Sequence, residues 1–367
     1  MRPAEAAARR AVVEAGRRLL ARGLVERTWG NVSARVSETH FVITPSGRGY
    51  DTLRPEDLVL VDLRDKSALG SGKPSSEKGI HADAYRLRPQ VGFVIHTHQE
   101  MASIRSVQGR GFVTDHPLLG GYVPCAAYGL PSTDTLRRAV KEQAAAHPES
   151  PAFLLKSHGA LCLGRDMDQA FAVAEALEAV CGAQVAAALP PAAAPAVPEL
   201  GESTRCGATF TLERRGQVST YHPGDPRLRG AAALHGAIYR LTGAGAVVHC
   251  RAADVVTVSR AARTLRPMLD DLAQIAGAEI LAVEPSARRA AAGLVAGNAV
   301  LLRGLGAICT GKTLEEARTV AMLLEKGAKA WRYGAVTPGC SALDRRDAWL
   351  MRFIYVTRYA KRKDARP

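Results

Sequence analysis

The chain has 367 residues, a formal net charge of +14 at pH 7 and a sequence pI near 9.8. Hydrophobic residues make up 47% and charged residues 23% of it, which is the balance of a globular protein and argues against wholesale disorder. The length favours two domains of about 100–200 residues each, and the lack of any run of about 18 apolar residues predicts no transmembrane helix.

The N-terminal segment and the cysteines both bear on where the protein resides. Apolar residues at Ala8, Ala11, Ala15 and Leu19 predict an amphipathic helix, interrupted by charges that a secretory signal would lack. The seven cysteines are widely spaced and form no CxxC pair. This usage indicates reduced thiols, so we expect a cytoplasmic protein.

Two halves of the chain are similar in sequence. Segments 81–107 and 235–261 both run from a helix that begins with His through Tyr-Arg-Leu into a strand that ends in His. Segments 152–178 and 299–325 match in the same order, which predicts a tandem duplication of one α/β unit. The predicted parts are a first domain 1–186, a Pro- and Ala-rich linker 187–200, a front-truncated second domain 201–343 and a basic tail 344–367.

The first copy carries ligating side chains that the second has lost. The aligned pairs are His96 with His249, His98 with Arg251, His158 with Leu305 and Glu77 with Ala231. Because His98, His158 and Glu77 disappear together, they and His96 are expected to form one functional unit, present only in the first copy.

Three of these residues have the spacing of a metal site. His96 and His98 follow an apolar strand and, as residues i and i+2, project to one face. His158 follows a second apolar strand. Three neutral imidazoles with one open position are typical of catalytic zinc, so we predict Zn²⁺, with Mn²⁺, Co²⁺ or Fe²⁺ as alternatives.

Glu77 and His81 lie on the helix that follows Pro74. Glu77 has two interpretations that stay open: an acidic residue in the first turn of a helix, or a carboxylate beside the metal that serves as ligand and general acid/base. His81 is assigned to structure, because its counterpart His235 survives in the copy without the metal residues.

Three short stretches have the composition of anion-binding turns. They are TWGNVS at 28–33, TPSG at 44–47 and PSS at 74–76, the last at a helix N-terminus. A cradle for a phosphorylated small molecule explains the positive charge better than nucleic acid does, so no nucleic-acid or membrane partner is expected.

Taken together, these motifs resemble the class II aldolase/adducin family over about residues 5–185. The resemblance rests on GNVS (30–33), ITPSG (43–47), KPSSE (73–77), VIHTH (94–98), VPCAAY (123–128) and SHGALCLG (157–164). It implies an α/β/α sandwich with a central, mostly antiparallel sheet. It also implies a ring-like homo-oligomer, here a dimer of two-copy chains with pseudo-fourfold symmetry.

The resemblance also assigns roles to residues. It implies zinc ligation by His96, His98 and His158, with Glu77 as a further ligand and the catalytic carboxylate. It implies a phosphate site that comprises Thr28, Asn31, Ser46, Gly47, Ser75 and Ser76. The family's catalytic Tyr is replaced near residues 113–117 by VTDHP, where His116 is the candidate acid/base.

The function expected from the resemblance is a zinc-dependent class II aldolase that cleaves or forms a C–C bond in a phosphorylated ketose through an enediolate. A phosphosugar 4-epimerase, a keto-acid decarboxylase and an iron oxygenase on the same fold stay open. A non-catalytic, adducin-like scaffold is the alternative of another class, and it suits the second copy better than the first.

Overall fold

The computed structural model describes residues 3–25, 29–193 and 196–359. The chain divides into two compact units, residues 1–187 and 188–367. Each unit contains one eight-stranded sheet. Thr28, a predicted phosphate binder, lies outside the described residues.

The first unit alternates strands and helices. Its helices are α1 (Pro3–Ala21), α2 (Lys78–Leu87), α3 (Glu100–Ser106), α4 (Asp134–Ala146) and α5 (Met167–Ala188), with a 3-10 turn at Pro55–Asp57. Its strands are β1 (Asn31–Arg35), β2 (His40–Ile43), β3 (Val59–Asp62), β4 (Ala68–Leu69), β5 (Phe93–Thr97), β6 (Phe112–Val113), β7 (Tyr122–Val123), β8 (Cys125–Ala126), β9 (Ala152–Leu155) and β10 (Gly159–Gly164).

The first sheet has the strand order β4-β3-β2-β1-β5-β10-β9-β8. Within it only the β8–β9 pair is parallel, which confirms the mostly antiparallel sheet. Successive strand residues face opposite sides: Val94 packs in the cluster with α2 and α4, and Ile95 in the cluster with α1 and α5. Helices thus cover both faces, as expected for an α/β/α sandwich.

The second unit repeats this plan. Its helices are α6 (Gly230–Leu241), α7 (Ala253–Ala261), α8 (Asp270–Ile275), α9 (Ala287–Gly293), α10 (Leu314–Val336) and α11 (Arg345–Ile354). Its strands are β11 (Glu202–Cys206), β12 (Thr209–Arg214), β13 (Gln217–Tyr221), β14 (Ala246–Cys250), β15 (Thr264–Leu265), β16 (Ile280–Val283), β17 (Ala299–Leu302) and β18 (Gly306–Gly311). A π-helical turn, Tyr355–Tyr359, follows α11.

The front of the second unit is more complete than its sequence indicated. Its sheet has the order β13-β12-β11-β14-β18-β17-β16-β15, in which β11, β12 and β13 occupy the places of β1, β2 and β3. The expected truncation therefore does not remove these strands. It falls on the helix that would correspond to α1 and on the segments corresponding to 44–58 and 63–76, on either side of β3. The strands were missed because β13 is almost entirely exposed and lacks an apolar face.

The sheet face that α1 covers differs in chemistry between the units. In the first unit Val32 and Val42 are fully buried on this face. Strand register places Glu202 and Thr211 at the equivalent positions of the second unit, and both are partly exposed. Where the covering helix is missing, polar side chains replace apolar ones.

Helix α5 is the one helix among the described residues that is long and apolar enough to cross a membrane, with a mean hydropathy of 1.4 over its best window. It contributes Ala170, Phe171 and Leu177 to the core beneath the sheet. A core helix passes the same test, so the feature is weak evidence for a membrane span.

Candidate active site

Two central, neighbouring strands position the three predicted histidines. His96 lies in β5 and His98 directly follows it, so they share a face at the end of the strand. His158 lies in the tight turn from β9 to β10, where the preceding Ser157 adopts a positive φ of 62°. The turn therefore brings His158 beside the end of β5, which pairs with β10.

The three imidazoles converge on one point. Their ligand atoms all lie within 4.8 Å of one another, and His96 and His158 are almost wholly buried. Nδ1 of His96 lies 2.8 Å from the carbonyl oxygen of Ala160, which accepts its proton and leaves the Nε2 lone pair available. Nε2 of His158 lies 3.0 Å from Nε2 of His96. This donor set fits a divalent cation such as zinc.

Glu77 completes the group from the N-terminus of α2. Its side chain is only 9% exposed, and its two carboxylate oxygens lie 3.4 Å from Nε2 of His96 and 3.4 Å from Nε2 of His158. It makes no side-chain capping hydrogen bond to the helix. The carboxylate is thus directed at the histidines and away from the helix backbone.

Burial sets the protonation states that ligation requires. It lowers the pKa of His96 to about 3, so this imidazole is neutral near pH 7. Burial alone would raise the pKa of Glu77, but its interactions with His96 and His158 and its hydrogen bond from Asn31 lower that pKa well below the usual range. A neutral imidazole and an anionic carboxylate are the forms that bind metal.

Two of the predicted phosphate-binding turns lie side by side. A bridge between Pro45 and Pro74 joins them, and the backbone N–H of Ser75 donates to the carbonyl of Thr44 at 3.0 Å. Ser75 Oγ accepts the N–H of Glu77 at 3.2 Å. The two turns thereby lie at the N-terminus of α2, next to the carboxylate.

The other predicted members of the phosphate site are arranged as follows. Gly47 has a φ of 72°, a conformation that favours glycine. Ser46 donates its N–H to the carbonyl of Lys73. Ser76 is exposed, and its Oγ lies 2.7 Å from that of Ser132, at the edge of an open cleft of about 340 Å³. Unlike these residues, Asn31 directs its side chain at the carboxylate, and its Nδ2 donates to Glu77 Oε2 at 2.8 Å.

His116 lies in the loop between β6 and β7. Its Nδ1 accepts the N–H of Leu118 at 3.3 Å, and its own N–H donates to Thr114 Oγ1. Within the described part of the chain it makes no hydrogen bond to Glu77 or to the three histidines. The structure therefore brings together four of the predicted catalytic and metal residues, but not His116.

Comparisons with known proteins show the family to which this fold belongs. A model of the class II aldolase and adducin N-terminal domain matches residues 10–185 and again residues 210–331. The chain belongs to the class II aldolase and adducin family and contains two tandem copies of its fold. Members of this family use a divalent metal, act on small phosphorylated substrates and are commonly oligomeric.

Individual relatives each match about half of the chain. The methylthioribulose-1-phosphate dehydratase of Pseudomonas savastanoi pv. phaseolicola is 34% identical over 183 residues, which is 46% of this chain and 88% of that protein. The enzyme of the same name from Methylococcus capsulatus is 32% identical over 179 residues, 46% of this chain and 87% of that protein.

Two solved structures are also similar to about half of the chain. L-fuculose-1-phosphate aldolase from Thermus thermophilus is 28% identical, with a TM-score of 0.42, and covers 50% of this chain and 95% of its own. YgbL from Escherichia coli is 25% identical, with a TM-score of 0.44, and covers 49% of this chain and 88% of its own.

Proposed function

We propose that this protein is a metal-dependent lyase that acts on a phosphorylated ketose or a similar hydroxy-carbonyl compound. The observation that carries the proposal is the buried Glu77 carboxylate, whose oxygens each lie 3.4 Å from an imidazole of the three-histidine group. Family membership supports the same chemistry.

The site residues would have two roles, which are binding of the cation and phosphate and transfer of a proton. His96, His98 and His158 would hold the cation, with Glu77 beside them. When bound, a divalent metal supplies Lewis-acid stabilisation of the negative charge that develops on the substrate's carbonyl oxygen. Glu77 would take or return the proton at the adjacent carbon. The turns with Ser46 and Ser75 would hold the phosphate, which orients the reacting carbons.

Two lyase reactions begin at this site and differ in the bond that breaks. In a dehydration, Glu77 removes the proton from the carbon next to the carbonyl, and the electron pair expels the hydroxyl of the following carbon, which His116 would protonate so that it leaves as water. The names of the relatives, which are 32–34% identical, favour this carbon–oxygen cleavage. It is therefore the first candidate.

The second candidate is the aldol cleavage expected from the sequence motifs. Here the hydroxyl proton of the following carbon is removed, the carbon–carbon bond breaks, and Glu77 protonates the carbon next to the carbonyl. His116 is the proposed partner acid/base in either reaction. Phosphosugar epimerisation and keto-acid decarboxylation would use the same cation and phosphate turns.

One assay separates these reactions. The protein is purified without chelator, loaded with Zn²⁺ and incubated with a panel of ketose 1-phosphates, and the products are read by mass spectrometry. Dehydration gives one product that is lighter by one water, whereas aldol cleavage gives an aldehyde and a smaller ketone phosphate. A Glu77→Gln variant is the control, and unchanged substrates with the zinc-loaded parent would overturn the proposal.

Cellular location and assembly extend the same proposal. We expect a cytoplasmic homo-oligomer, specifically a dimer of 39.0 kDa chains. Light scattering on the purified protein measures its mass, and a monomer would contradict this expectation.

A further inference from the structure

A line of buried polar side chains leads from the core of the first unit to the Glu77 carboxylate. Asn31 Nδ2 donates to Glu77 Oε2 at 2.8 Å, and Asn31 Oδ1 lies 2.5 Å from His81 Nε2. His81 Nδ1 lies 2.7 Å from Ser33 Oγ, which lies 2.8 Å from the hydroxyl of Tyr85. All four residues behind Glu77 are at most 4% exposed.

The chemistry of the endpoints fixes the direction of every hydrogen bond. An ionised carboxylate only accepts, so the Asn31 amide nitrogen faces Glu77 and its oxygen faces His81. His81 must then donate from Nε2 and accept at Nδ1 from Ser33, which in turn accepts from Tyr85. Burial lowers the pKa of His81 to about 3, in keeping with this single neutral tautomer.

The second unit contains the Tyr, Ser and His of this line but has no counterpart of Asn31 or Glu77. Ser203 Oγ lies 2.6 Å from His235 Nδ1 and 2.8 Å from the Tyr239 hydroxyl. Strand register places Gly201 at the position equivalent to Asn31, and Glu77 aligns with Ala231. Among the described residues the fully buried His235 Nε2 bonds no side chain, and the imidazole interacts with the backbone of Leu200 instead.

This difference separates two roles within the line. The Tyr–Ser–His part is present in both units, so it serves the fold. The Asn31 link is present only where a carboxylate lies beside three histidines.

We propose that Asn31 and His81 are positioning residues that hold the Glu77 carboxylate toward the metal-binding histidines. The inference rests on the proposed metal site but not on the identity of the substrate. Asn31 acts on Glu77 directly, and His81 acts by fixing the orientation of the Asn31 amide. Outer-shell partners of this kind typically change metal affinity by about 10–100-fold when they are removed.

The test measures Co²⁺ binding to the full-length protein, with no substrate present. Asn31→Ala is expected to weaken Co²⁺ about 10–100-fold. His81→Asn keeps a polar atom only at the position of Nδ1, which faces Ser33. It is also expected to weaken Co²⁺ binding. His81→Gln, which keeps the donor facing Asn31, is expected to bind Co²⁺ more tightly than His81→Asn does.

His235→Asn is the matched control, because His235 is as buried as His81 and bonds Ser203, which bonds Tyr239, without a carboxylate nearby. It is expected to leave Co²⁺ binding unchanged. Equal weakening by His235→Asn and His81→Asn would show a general effect on folding and overturn the proposal. So would Asn31→Ala and His81→Asn variants that bind Co²⁺ as the parent does.

A double-mutant cycle isolates the link itself. In a Glu77→Gln background, Asn31→Ala is expected to change Co²⁺ affinity less than about twofold, because its contribution acts through the carboxylate. A full effect of Asn31→Ala in that background would contradict the positioning role. A parent protein that binds no Co²⁺ would overturn the metal site and this inference together, whereas a failed lyase assay alone would leave the inference standing.

Discussion

The two units of this protein share a fold and differ in the chemistry that the fold carries. Both retain the buried histidine on the first helix after the front strands, and each histidine is bonded to a Ser whose hydroxyl also bonds a Tyr. Only the first unit adds Asn31, Glu77, His98 and His158. The comparison separates residues needed for packing from residues needed for chemistry within a single chain.

The surfaces of the two sheets support the same separation. Val32 lies beneath α1, whereas Glu202 at the same position pairs with Arg318 near the surface. The second unit has therefore changed with its own surroundings. Its losses include His98, His158 and Glu77 of the proposed metal site, the first helix and the turns expected to bind phosphate.

The largest difference in metal binding and turnover is expected between alanine variants of two aligned histidines, His96 and His249. His96→Ala should remove metal binding and reduce turnover to background, because one of three imidazole ligands is lost. His249→Ala should keep both, because His249 bonds the backbone of Leu200 and Leu305. Metal analysis and turnover of the two variants check this, and equal loss in both would break the comparison.

Glu77→Gln should lower kcat about 10²–10⁴-fold, because the amide cannot exchange the proton. The variant should still bind zinc through the three histidines when the metal is saturating. Steady-state kinetics in excess zinc measure the effect. Turnover equal to that of the parent would show that Glu77 is not the base.

Val32→Glu should destabilise the first unit by about 3–5 kcal/mol, because it places an unpaired charge beneath α1. Chemical denaturation of the full chain measures the change in the free energy of unfolding. A loss below about 1 kcal/mol would contradict the account of this sheet face.

Acid should destabilise the second unit through His235. Burial lowers its pKa to about 3 from an unfolded value near 6.5. Between about pH 6.5 and pH 3, His235 takes up a proton only in the unfolded state. The stability that His235 contributes is therefore complete above about pH 6.5 and falls as the pH decreases toward about 3. The parent should lose about 2 kcal/mol more than His235→Gln between pH 6.5 and pH 5. Denaturation curves at the two pH values test this, and identical pH dependence would contradict it.

The smallest effect is expected from Glu202→Val. It removes a partly exposed ion pair to Arg318, worth about 0–1 kcal/mol. Its change in unfolding free energy should therefore be far smaller than that of Val32→Glu. Comparable losses would mean that the two sheet faces are not different environments.

The metal-site residues were predictable from sequence because their signals are local. A His-x-His pair at a strand end and another histidine after a strand are visible as spacing, and the joint loss of His98, His158 and Glu77 in the repeat predicts that they belong together. The Asn31 contact was not predictable, since it depends on the pairing of β1 with β5, which places Asn31 opposite His96. The family resemblance assigned Asn31 to the phosphate site, and that assignment stays a prediction beside the contact with Glu77.

Two other features escaped sequence reasoning for physical reasons. The front strands of the second unit have little apolar pattern, because one face is polar and β13 is exposed. His81 was assigned to structure because its counterpart survives in the second unit, yet its Nε2 leads to the carboxylate. The histidine bonds a Ser of the core in both copies, but only in the first copy does its Nε2 also bond an Asn.

Metal stoichiometry tests the central claim most directly. The protein, purified without chelator and dialysed against Zn²⁺, is analysed for zinc per chain. We expect one tightly bound ion per chain, and its loss in His96→Ala. About two ions per chain, or one ion that survives His96→Ala, would contradict a single metal site in the first unit.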